Sequence, residues 1–476
     1  MAMLYDNTND NCKTTSTSAT EDPYILSEWD RLTFDIQVPF FAIYKWDDHG
    51  ATSCQILVDS MQHGLEKAAE QLPSIAAKIH LDDQGRALPR MSPTKLTLKV
   101  RNFGPDEYKS YEEIARRSFL TDDIDVSRLM PGPEPASTTG ANERIRNACF
   151  IQLNFIPGGI ILSLGVNHRV GDAASIGKIA LLICECTKAC LENRPIPHHE
   201  YNFDRLPFLP PPTIATSVTK MTPISLSREE GFLVGDTATL VATLSTPIPA
   251  DQAKGLTYRI THSDAVRLKG LCKPIGVGYV STYDCITGLL FRAIVRARAT
   301  INTSFLQLES NKKWYLTSAS DLRHRNLLPT EYFGNGVKCV FTDPLSGSDI
   351  LGHDGYSLIA SKGRHSIQNN DGLSFFHRAV ATAEKSLPNE SVIYVPVGVP
   401  DSTHVVSSWY TVGAEKWDFG IGRPSAMRTF TIPAPNFSII FPACEQNAYD
   451  IYVCLPEQEH DMLNKDEEFQ SWFQVL

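Results

Sequence analysis

The sequence predicts a two-domain chain that mixes helices with strands. Its 476 residues exceed the roughly 250–300 residues over which a single hydrophobic core grows. Segments with apolar residues at helical spacing alternate with short apolar runs that are typical of buried strands. A proline-rich stretch with little periodicity, residues 206–232, separates the two halves. We therefore predict a mobile tail over residues 1–22, a first domain over 23–205 and a second domain over 233–476.

The elements follow from local patterns in chain order. Residues 56–73 carry apolar side chains at helical spacing and stop at Pro73, which predicts a helix. Two apolar strands flank a turn at Gly158 and Gly159, and the second strand leads at His168 into a helical pattern. In the second half, the same reasoning predicts helices over 281–298 and 357–370 and strands within 312–323, 429–444 and 449–456.

Composition and charge exclude several classes of protein. The chain has 44 basic and 54 acidic residues, a net charge of -10, so it lacks the basic surface typical of proteins that bind nucleic acid or anionic membranes. We see neither a signal peptide nor a window with the ~18 apolar residues of a membrane span, and expect a cytoplasmic protein. The eleven cysteines are scattered through apolar segments, which predicts free thiols and no metal site.

The common catalytic motifs are missing or incomplete. The segment GDAASIGKI resembles a phosphate-binding loop, but its glycine spacing is wrong and Ile179 stands where a hydroxyl must reach magnesium. No serine-hydrolase elbow, paired-histidine zinc helix or complete dinucleotide fingerprint occurs. What remains is His168 with Asp172 four positions later, a weak pattern on composition alone. Its place after a buried strand and beside small residues favours a ligand-binding site over a surface histidine.

At these residues the chain resembles the BAHD acyltransferases. Their HxxxD and DFGWG signatures correspond to NHRVGD at 167–172 and WDFGIG at 417–422. Further similar segments, among them LSEWDRL, STYDCITGLLFRAIVRAR and DLRHRNLLPTEYFGN, follow in family order over residues 26–470, with most similarity to a fungal branch. The resemblance implies an α/β, two-domain fold like that of chloramphenicol acetyltransferase. Mixed sheets would be flanked by helices, and an active-site tunnel would follow the domain interface.

The resemblance also implies the reaction. A BAHD enzyme transfers an acyl group from a coenzyme A thioester, here an acetyl group by analogy, to a hydroxyl group of a fungal secondary metabolite. Acyl-CoA would be a co-substrate. The enzyme would be a monomer with no tightly bound cofactor and no metal. His168 would act as general base, because a neutral imidazole accepts a proton at cellular pH. Asp172 would point away from the tunnel and pair with an arginine, for which Arg292 and Arg296 are the candidates.

Other residues receive roles through the same resemblance. Trp409 and Ser407 would donate hydrogen bonds to the oxyanion, the alternative being an aromatic core strand. Ser263, Arg267, Lys269 and Lys273 would bind the phosphates of coenzyme A, and a solvated helix face is an equal alternative. Asp418, Phe419, Gly420, Gly422 and Arg292 would be structural. Asn335, within a structural segment that includes Asp321, Arg323 and Arg325, would also line the tunnel.

Two positions depart from the family pattern. Ile421 replaces the usual tryptophan of the second motif, and Asn167 stands where condensation domains of peptide synthetases carry a second histidine. The second departure disfavours a condensation domain. Two alternatives stay open: a homologue that guides condensation or cyclisation of a metabolite without coenzyme A, and a non-enzymatic binding protein.

Overall fold

The computed structural model describes most of both halves of the chain. The described residues are 21–33, 35–46, 51–82, 86–130, 145–217, 232–236, 253–301, 313–325, 327–369, 372–385, 390–394, 402–432, 435–442, 444 and 447–476. All of the predicted tail except residues 21 and 22, and residues 218–231 of the predicted linker, lie outside this set. The domain boundaries therefore stay a prediction.

Thirteen α-helices occur in the described residues. They are α1 (Glu28–Leu32), α2 (Ala51–Gln71), α3 (Tyr111–Arg116), α4 (Val126–Leu129), α5 (Ala173–Leu191), α6 (Pro212–Ser217), α7 (His262–Leu271), α8 (Thr282–Ile301), α9 (Gly347–Leu351), α10 (Gly355–Gln368), α11 (Ser374–Lys385), α12 (Glu457–Leu463) and α13 (Glu467–Gln470). The helices predicted over 56–73, 281–298 and 357–370 are confirmed as α2, α8 and α10.

The strands within the same set number seventeen. They are β1 (Gln37–Lys45), β2 (Ala77–His80), β3 (Ser92–Pro93), β4 (Leu98–Asn102), β5 (Ile145–Asn147), β6 (Cys149–Ile156), β7 (Gly159–Asn167), β8 (Phe232–Asp236), β9 (Ala253–Thr261), β10 (Tyr315–Asp321), β11 (Val337–Phe341), β12 (Glu390–Tyr394), β13 (Thr403–Ser408), β14 (Ala426–Arg428), β15 (Phe437–Ile440), β16 (Ala448–Pro456) and β17 (Gln474–Val475). Among the described residues of the segment 429–444, those of β15 form the strand.

Two large mixed sheets organise the chain. The first has the strand order β14-β1-β7-β6-β4, and the second has the order β11-β10-β13-β15-β16-β9-β17. Strand β4 runs parallel to β6 in the first sheet, and β13 runs parallel to both β10 and β15 in the second. Two small sheets, β12-β8 and β3-β2-β5, complete the set.

The predicted hairpin forms the centre of the first sheet. Strands β6 and β7 pair from Cys149 opposite Val166 to Ile156 opposite Gly159. The chain reverses at Gly158, whose φ of 73° suits glycine because it has no Cβ. Helix α5 then packs against α2 over this sheet, and its apolar face joins the first hydrophobic core. This arrangement places the strand-to-helix junction with His168 at one end of the core.

The second half of the chain also contributes a strand to the first sheet. Strand β14 pairs with β1, with Phe41 opposite Arg428 and Ile43 opposite Ala426. Residues Trp409, Trp417 and Phe419 of the second half lie in the same hydrophobic core as α2 and α5. The two halves therefore share a core as well as a sheet.

Two further properties bear on the sequence interpretation. The ten cysteines within the described ranges are free thiols, and seven of them are buried. Over the same residues, no helix combines the length and the apolar character that crossing a membrane requires.

Candidate active site

His168 lies at the end of β7, directly before helix α5. Its backbone N–H donates to the carbonyl oxygen of Ile36 at 2.8 Å, which extends the pairing of β1 with β7 by one residue. The imidazole is half-buried. The histidine is thus held by a central strand while its ring keeps a path to solvent.

An amide network decides which ring nitrogen of His168 carries the proton. The Asn335 side-chain Nδ2 donates to Asp30 Oδ1 at 2.8 Å and to the His168 carbonyl oxygen at 2.9 Å. The remaining amide atom, Oδ1, is an acceptor and lies 3.1 Å from His168 Nδ1. Nδ1 must therefore carry the hydrogen, and Nε2 is left as the unprotonated nitrogen.

Asp30 anchors this network from helix α1. The carboxylate accepts from the backbone N–H of Asn335 at 2.9 Å and from the Ser27 hydroxyl at 2.7 Å, and it is fully buried. The Arg205 guanidinium lies 3.9 Å away and compensates its charge. A buried carboxylate with charge compensation and several donors is held rigidly. Asp30 thereby fixes Asn335, which in turn fixes His168.

Asp172 makes a separate ion pair and does not touch the imidazole. Its two carboxylate oxygens lie 3.0 and 3.2 Å from the guanidinium nitrogens of Arg323, and Oδ2 accepts from the Gly336 N–H at 2.7 Å. It also caps helix α5 by accepting from the Ser175 N–H. Burial alone would raise the pKa of Asp172, but Arg323 and the backbone donors outweigh burial and hold that pKa below its usual range.

The prediction that Arg292 or Arg296 pairs with Asp172 is wrong. Both arginines lie on α8, where Arg292 binds Glu468 at 2.9 Å and Arg296 binds Asp466 at 2.9 Å. Their face of α8 turns toward the C-terminal helices. The partner of Asp172 is instead Arg323, which follows β10 in the segment that the sequence indicated as structural.

The residues from Thr330 to Gly336 form a segment that connects the Asp172–Arg323 ion pair with the hydrogen-bond network of His168. Ser175 Oγ donates to the Gly334 carbonyl at 2.8 Å, and Arg323 donates to the same oxygen at 2.7 Å. Gly334 has a φ of 140°, and a Cβ there would lie 2.4 Å from the Arg205 guanidinium. Only glycine fits this position, which directly precedes Asn335.

Ile36 borders His168 on the same face of the first sheet. Gln37 pairs with Asn167, so Ile36 stands opposite His168 as the next cross-strand pair. Directly opposed residues project from the same face, with Cβ atoms about 4.5–5.5 Å apart. The Ile36 side chain is 42% exposed although it is large and apolar. An exposed apolar side chain therefore lies next to His168.

Ser407 and Trp409 lie at the end of β13. The Trp409 ring stacks on Phe40 with centroids 4.5 Å apart, and Phe40 shares the sheet face of Ile36 because it is four residues further along β1. Among the described residues, no hydrogen bond joins Ser407 or Trp409 to His168. Their role as oxyanion donors stays a prediction.

The predicted coenzyme A contacts lie on helix α7 and just beyond it. Ser263 bonds the Thr261 hydroxyl at 2.9 Å, and Arg267 pairs with Asp264 and lies 4.2 Å above the ring of Trp472. The four candidates Ser263, Arg267, Lys269 and Lys273 are exposed. They have no described contact with the His168 network, so their role also stays a prediction.

The second motif lies at the other end of helix α5. Asp418 pairs with Lys188 at 2.5 Å and accepts from the N–H groups of Gly420 and Gly422 at 2.8 and 2.9 Å. Burial alone would raise the pKa of Asp418, but Lys188 and these donors hold it below its usual range. Phe419 packs edge-on against Tyr44. We continue to interpret this motif as structural.

Comparison with family models decides the family. The model of the Transferase family matches residues 146–470, about two thirds of the chain. A second model, the trichothecene 3-O-acetyltransferase-like N-terminal domain, matches residues 36–190. The chain belongs to the Transferase family. It is a BAHD-type acyltransferase, as the motifs predicted.

Individual relatives are distant but similar over nearly the whole length. The trichothecene 3-O-acetyltransferase of Saccharomyces cerevisiae is 23% identical, with 90% of each chain covered. The O-acyltransferase pigD of Monascus ruber is 24% identical, with 92% of this chain and 97% of the relative covered. Both similarities span the two halves of the BAHD-type acyltransferase.

Solved structures confirm the predicted fold class. TRI101 of F. graminearum, complexed with coenzyme A and T-2 mycotoxin, has a TM-score of 0.77 at 17% identity and covers 95% of this chain and 99% of its own. Vinorine synthase has a TM-score of 0.62 at 16% identity and covers 96% and 95%. The BAHD-type acyltransferase shares this α/β fold of mixed sheets flanked by helices.

Proposed function

We propose that the protein transfers an acyl group, in the first place acetyl, from a coenzyme A thioester to a hydroxyl group of a fungal secondary metabolite. The observation that carries the proposal is the fixed tautomer of His168. Asn335 accepts from Nδ1, so Nε2 is available to remove a proton at the open end of the network. Relatives named O-acetyltransferase and complexes of TRI101 with coenzyme A support the choice of acetyl-CoA.

The proposed reaction is a direct transfer between two bound substrates. His168 Nε2 takes the proton of the acceptor hydroxyl while its oxygen attacks the thioester carbonyl. The tetrahedral oxyanion then collapses, the carbon–sulfur bond breaks, and the imidazolium returns the proton to the thiolate of coenzyme A. Asn335 orients the ring during both transfers, and Asp30 orients Asn335. Asp172 and Arg323 hold the loop and move no proton.

The predicted binding roles complete the proposal. Trp409 and Ser407 would stabilise the oxyanion, for which one donor is typically worth ~2.7–4 kcal/mol. Ser263, Arg267, Lys269 and Lys273 would bind the coenzyme A phosphates in a protein whose net charge is -10. A tunnel between the two halves would carry both substrates. The monomeric state and the cytoplasmic location are further parts of this proposal, and size-exclusion chromatography tests the first.

Ile36 indicates the chemistry of the acceptor. An exposed apolar side chain beside the base favours an acceptor whose hydroxyl group sits on an apolar skeleton. Ile36→Asp should therefore weaken binding of such an acceptor more than binding of acetyl-CoA. Val100→Asp is the matched control, because Val100 is equally exposed at 41% but lies on the edge strand β4. Equal effects of the two substitutions would remove Ile36 from the acceptor site.

The experiment that tests the function is thermal melting with coenzyme A, acetyl-CoA and longer acyl-CoA thioesters. A ligand at ~100 times its Kd adds ~2.7 kcal/mol to the free energy of unfolding, which raises the melting temperature. Thiol release from the thioester that binds best is then measured with hydroxylated fungal metabolites. Absence of any shift with every thioester would contradict the proposal and favour the homologue that works without coenzyme A.

A further inference from the structure

Three side chains at the start of α5 hold the segment 330–336. Asp172 caps the helix and accepts a hydrogen bond from the Gly336 N–H. Three residues further, the Ser175 hydroxyl bonds both the carbonyl oxygen and the N–H of Gly334. Lys178 is three residues further, so the three side chains share one face of the helix. The lysine is not part of either family motif, and neither the ion pair nor the histidine network includes it.

Lys178 contacts the other end of the same segment. Its Nζ donates to the carbonyl oxygen of Thr330 at 2.5 Å and to that of Tyr332 at 3.1 Å. The Tyr332 carbonyl also accepts from Arg323 Nε at 2.9 Å. The segment is therefore fixed by Lys178 where it begins and by Asp172 where it ends, and Asn335 lies between these two points.

We propose that Lys178 is a positioning residue for acyl transfer, because its ammonium group holds the segment that presents Asn335 to His168. This inference rests on the proposed function, since it concerns how the base is oriented. Lys178 touches neither His168 nor Asn335, and it acts only through the backbone of residues 330–332. Loss of the ammonium contact should loosen Asn335 and let the imidazole sample its other tautomer.

The surroundings of Lys178 make this contact sensitive to pH. Burial and, to a smaller extent, the nearby Arg323 lower the pKa of Lys178 to about 8, although Asp172, Asp321 and Glu331 oppose the shift. Below pH 8 the ammonium has three donors and a full charge for the two carbonyl groups. Above pH 8 it loses one donor and the charge, so the segment is held less firmly. Turnover should therefore decline above pH 8.

The kinetic test compares two substitutions of Lys178 with a control. Thiol release from acetyl-CoA is followed from pH 6 to 10 with cyclohexanol as a probe acceptor. Lys178→Met should lower kcat about tenfold through misplacement of the base, leave the KM for acetyl-CoA unchanged and remove the decline above pH 8. Lys178→Arg should keep kcat near the wild-type value and move the decline upward by more than one pH unit, because guanidinium does not titrate there. Lys67→Met, which breaks an exposed pair with Glu70 on α2, should match the wild type.

A second measurement does not depend on turnover. In protein with labelled histidine, the His168 ring signals are assigned by comparison with His168→Gln. The wild type and Lys178→Arg should show the tautomer with hydrogen on Nδ1, and Lys178→Met should show a mixture of both tautomers. If the wild type releases no thiol, the function fails while this spectrum still decides the role of Lys178. Identical His168 signals and an identical pH profile in Lys178→Met would overturn the inference.

Discussion

The two ends of helix α5 each hold a loop from the second half of the chain, but they do so with different contacts. At the start, Asp172 and Ser175 hold residues 334–336 through hydrogen bonds to Gly336 and Gly334, and Asp172 also forms a buried ion pair with Arg323. At the end, Lys188 binds Asp418 through one ion pair whose carboxylate keeps 25% of its surface exposed. The buried end orients the proposed catalytic base, where small displacements matter, whereas the exposed end joins two parts of the core. Substitutions at the buried end should therefore lower activity, whereas substitutions at the exposed end should lower stability alone.

The largest effect is expected at the base itself. His168→Ala removes the proton acceptor, so thiol release should fall by ~10²–10⁴-fold. The half-buried ring supports little of the core, and the circular-dichroism melt should stay that of the wild type. An active variant would refute the assignment of His168 as general base.

Asp172→Asn should lower both activity and stability. The substitution leaves the Arg323 guanidinium buried, and Asp321 is then its one anionic partner among the described residues. Removal of one partner from a buried pair costs about 3–5 kcal/mol, and the melting temperature should fall accordingly. Wild-type stability together with lost activity would mean that Asp172 acts in the chemistry rather than in the loop.

Asp30→Asn should reduce turnover and also lower stability, because the buried Arg205 guanidinium loses the carboxylate that compensates its charge. The two carboxylate oxygens of Asp30 accept hydrogen bonds from Asn335 and Ser27. An amide has one acceptor oxygen, so it would no longer fix the orientation of Asn335. We expect kcat to fall about 10- to 100-fold. Glu28→Gln on the same helix is the control, because Glu28 pairs with Arg31 at the surface. A wild-type kcat in Asp30→Asn would break the proposed chain from Asp30 to His168.

The smallest effect on activity is expected at the exposed end of α5. Asp418→Asn should lower the free energy of unfolding by about 1 kcal/mol and leave kcat unchanged. The pKa of Asp418 is lower in the folded than in the unfolded state, so its contribution is present above the unfolded pKa and is lost as pH falls through the folded pKa. The difference in melting temperature should thus shrink below about pH 4. A constant difference down to pH 2 would show that the charge of Asp418 is unimportant.

Sequence patterns predicted the local parts of this arrangement. The hairpin β6–β7, the junction at His168 and the long helices follow from periodicity and turn residues, which act over a few positions. The signal for α1 was also present, because Ser27 and Asp30 have the spacing of a capping box. That spacing predicts a helix start and nothing about Asn335, which lies 305 positions away.

The partners across the chain could not be predicted in this way. Arg292 and Arg323 are both arginines near apolar segments, and only tertiary packing decides that Arg323 reaches Asp172. The roles of Asn335 and Asp30 depend on hydrogen bonds between elements that lie far apart in the sequence. No periodic sequence pattern predicts such bonds. No sequence pattern indicates the role of Lys178, because its carbonyl partners belong to a loop of the other half.

Strand β14 of the second half completes the first sheet, and this affects how the protein folds during synthesis. The first sheet lacks its outer strand until the ribosome has made residues 426–428, so β1 presents an unpaired edge for most of translation. The first half should therefore need a chaperone or remain incompletely folded until the second half emerges. For the same reason, a split gene should restore the enzyme only when both fragments are produced together.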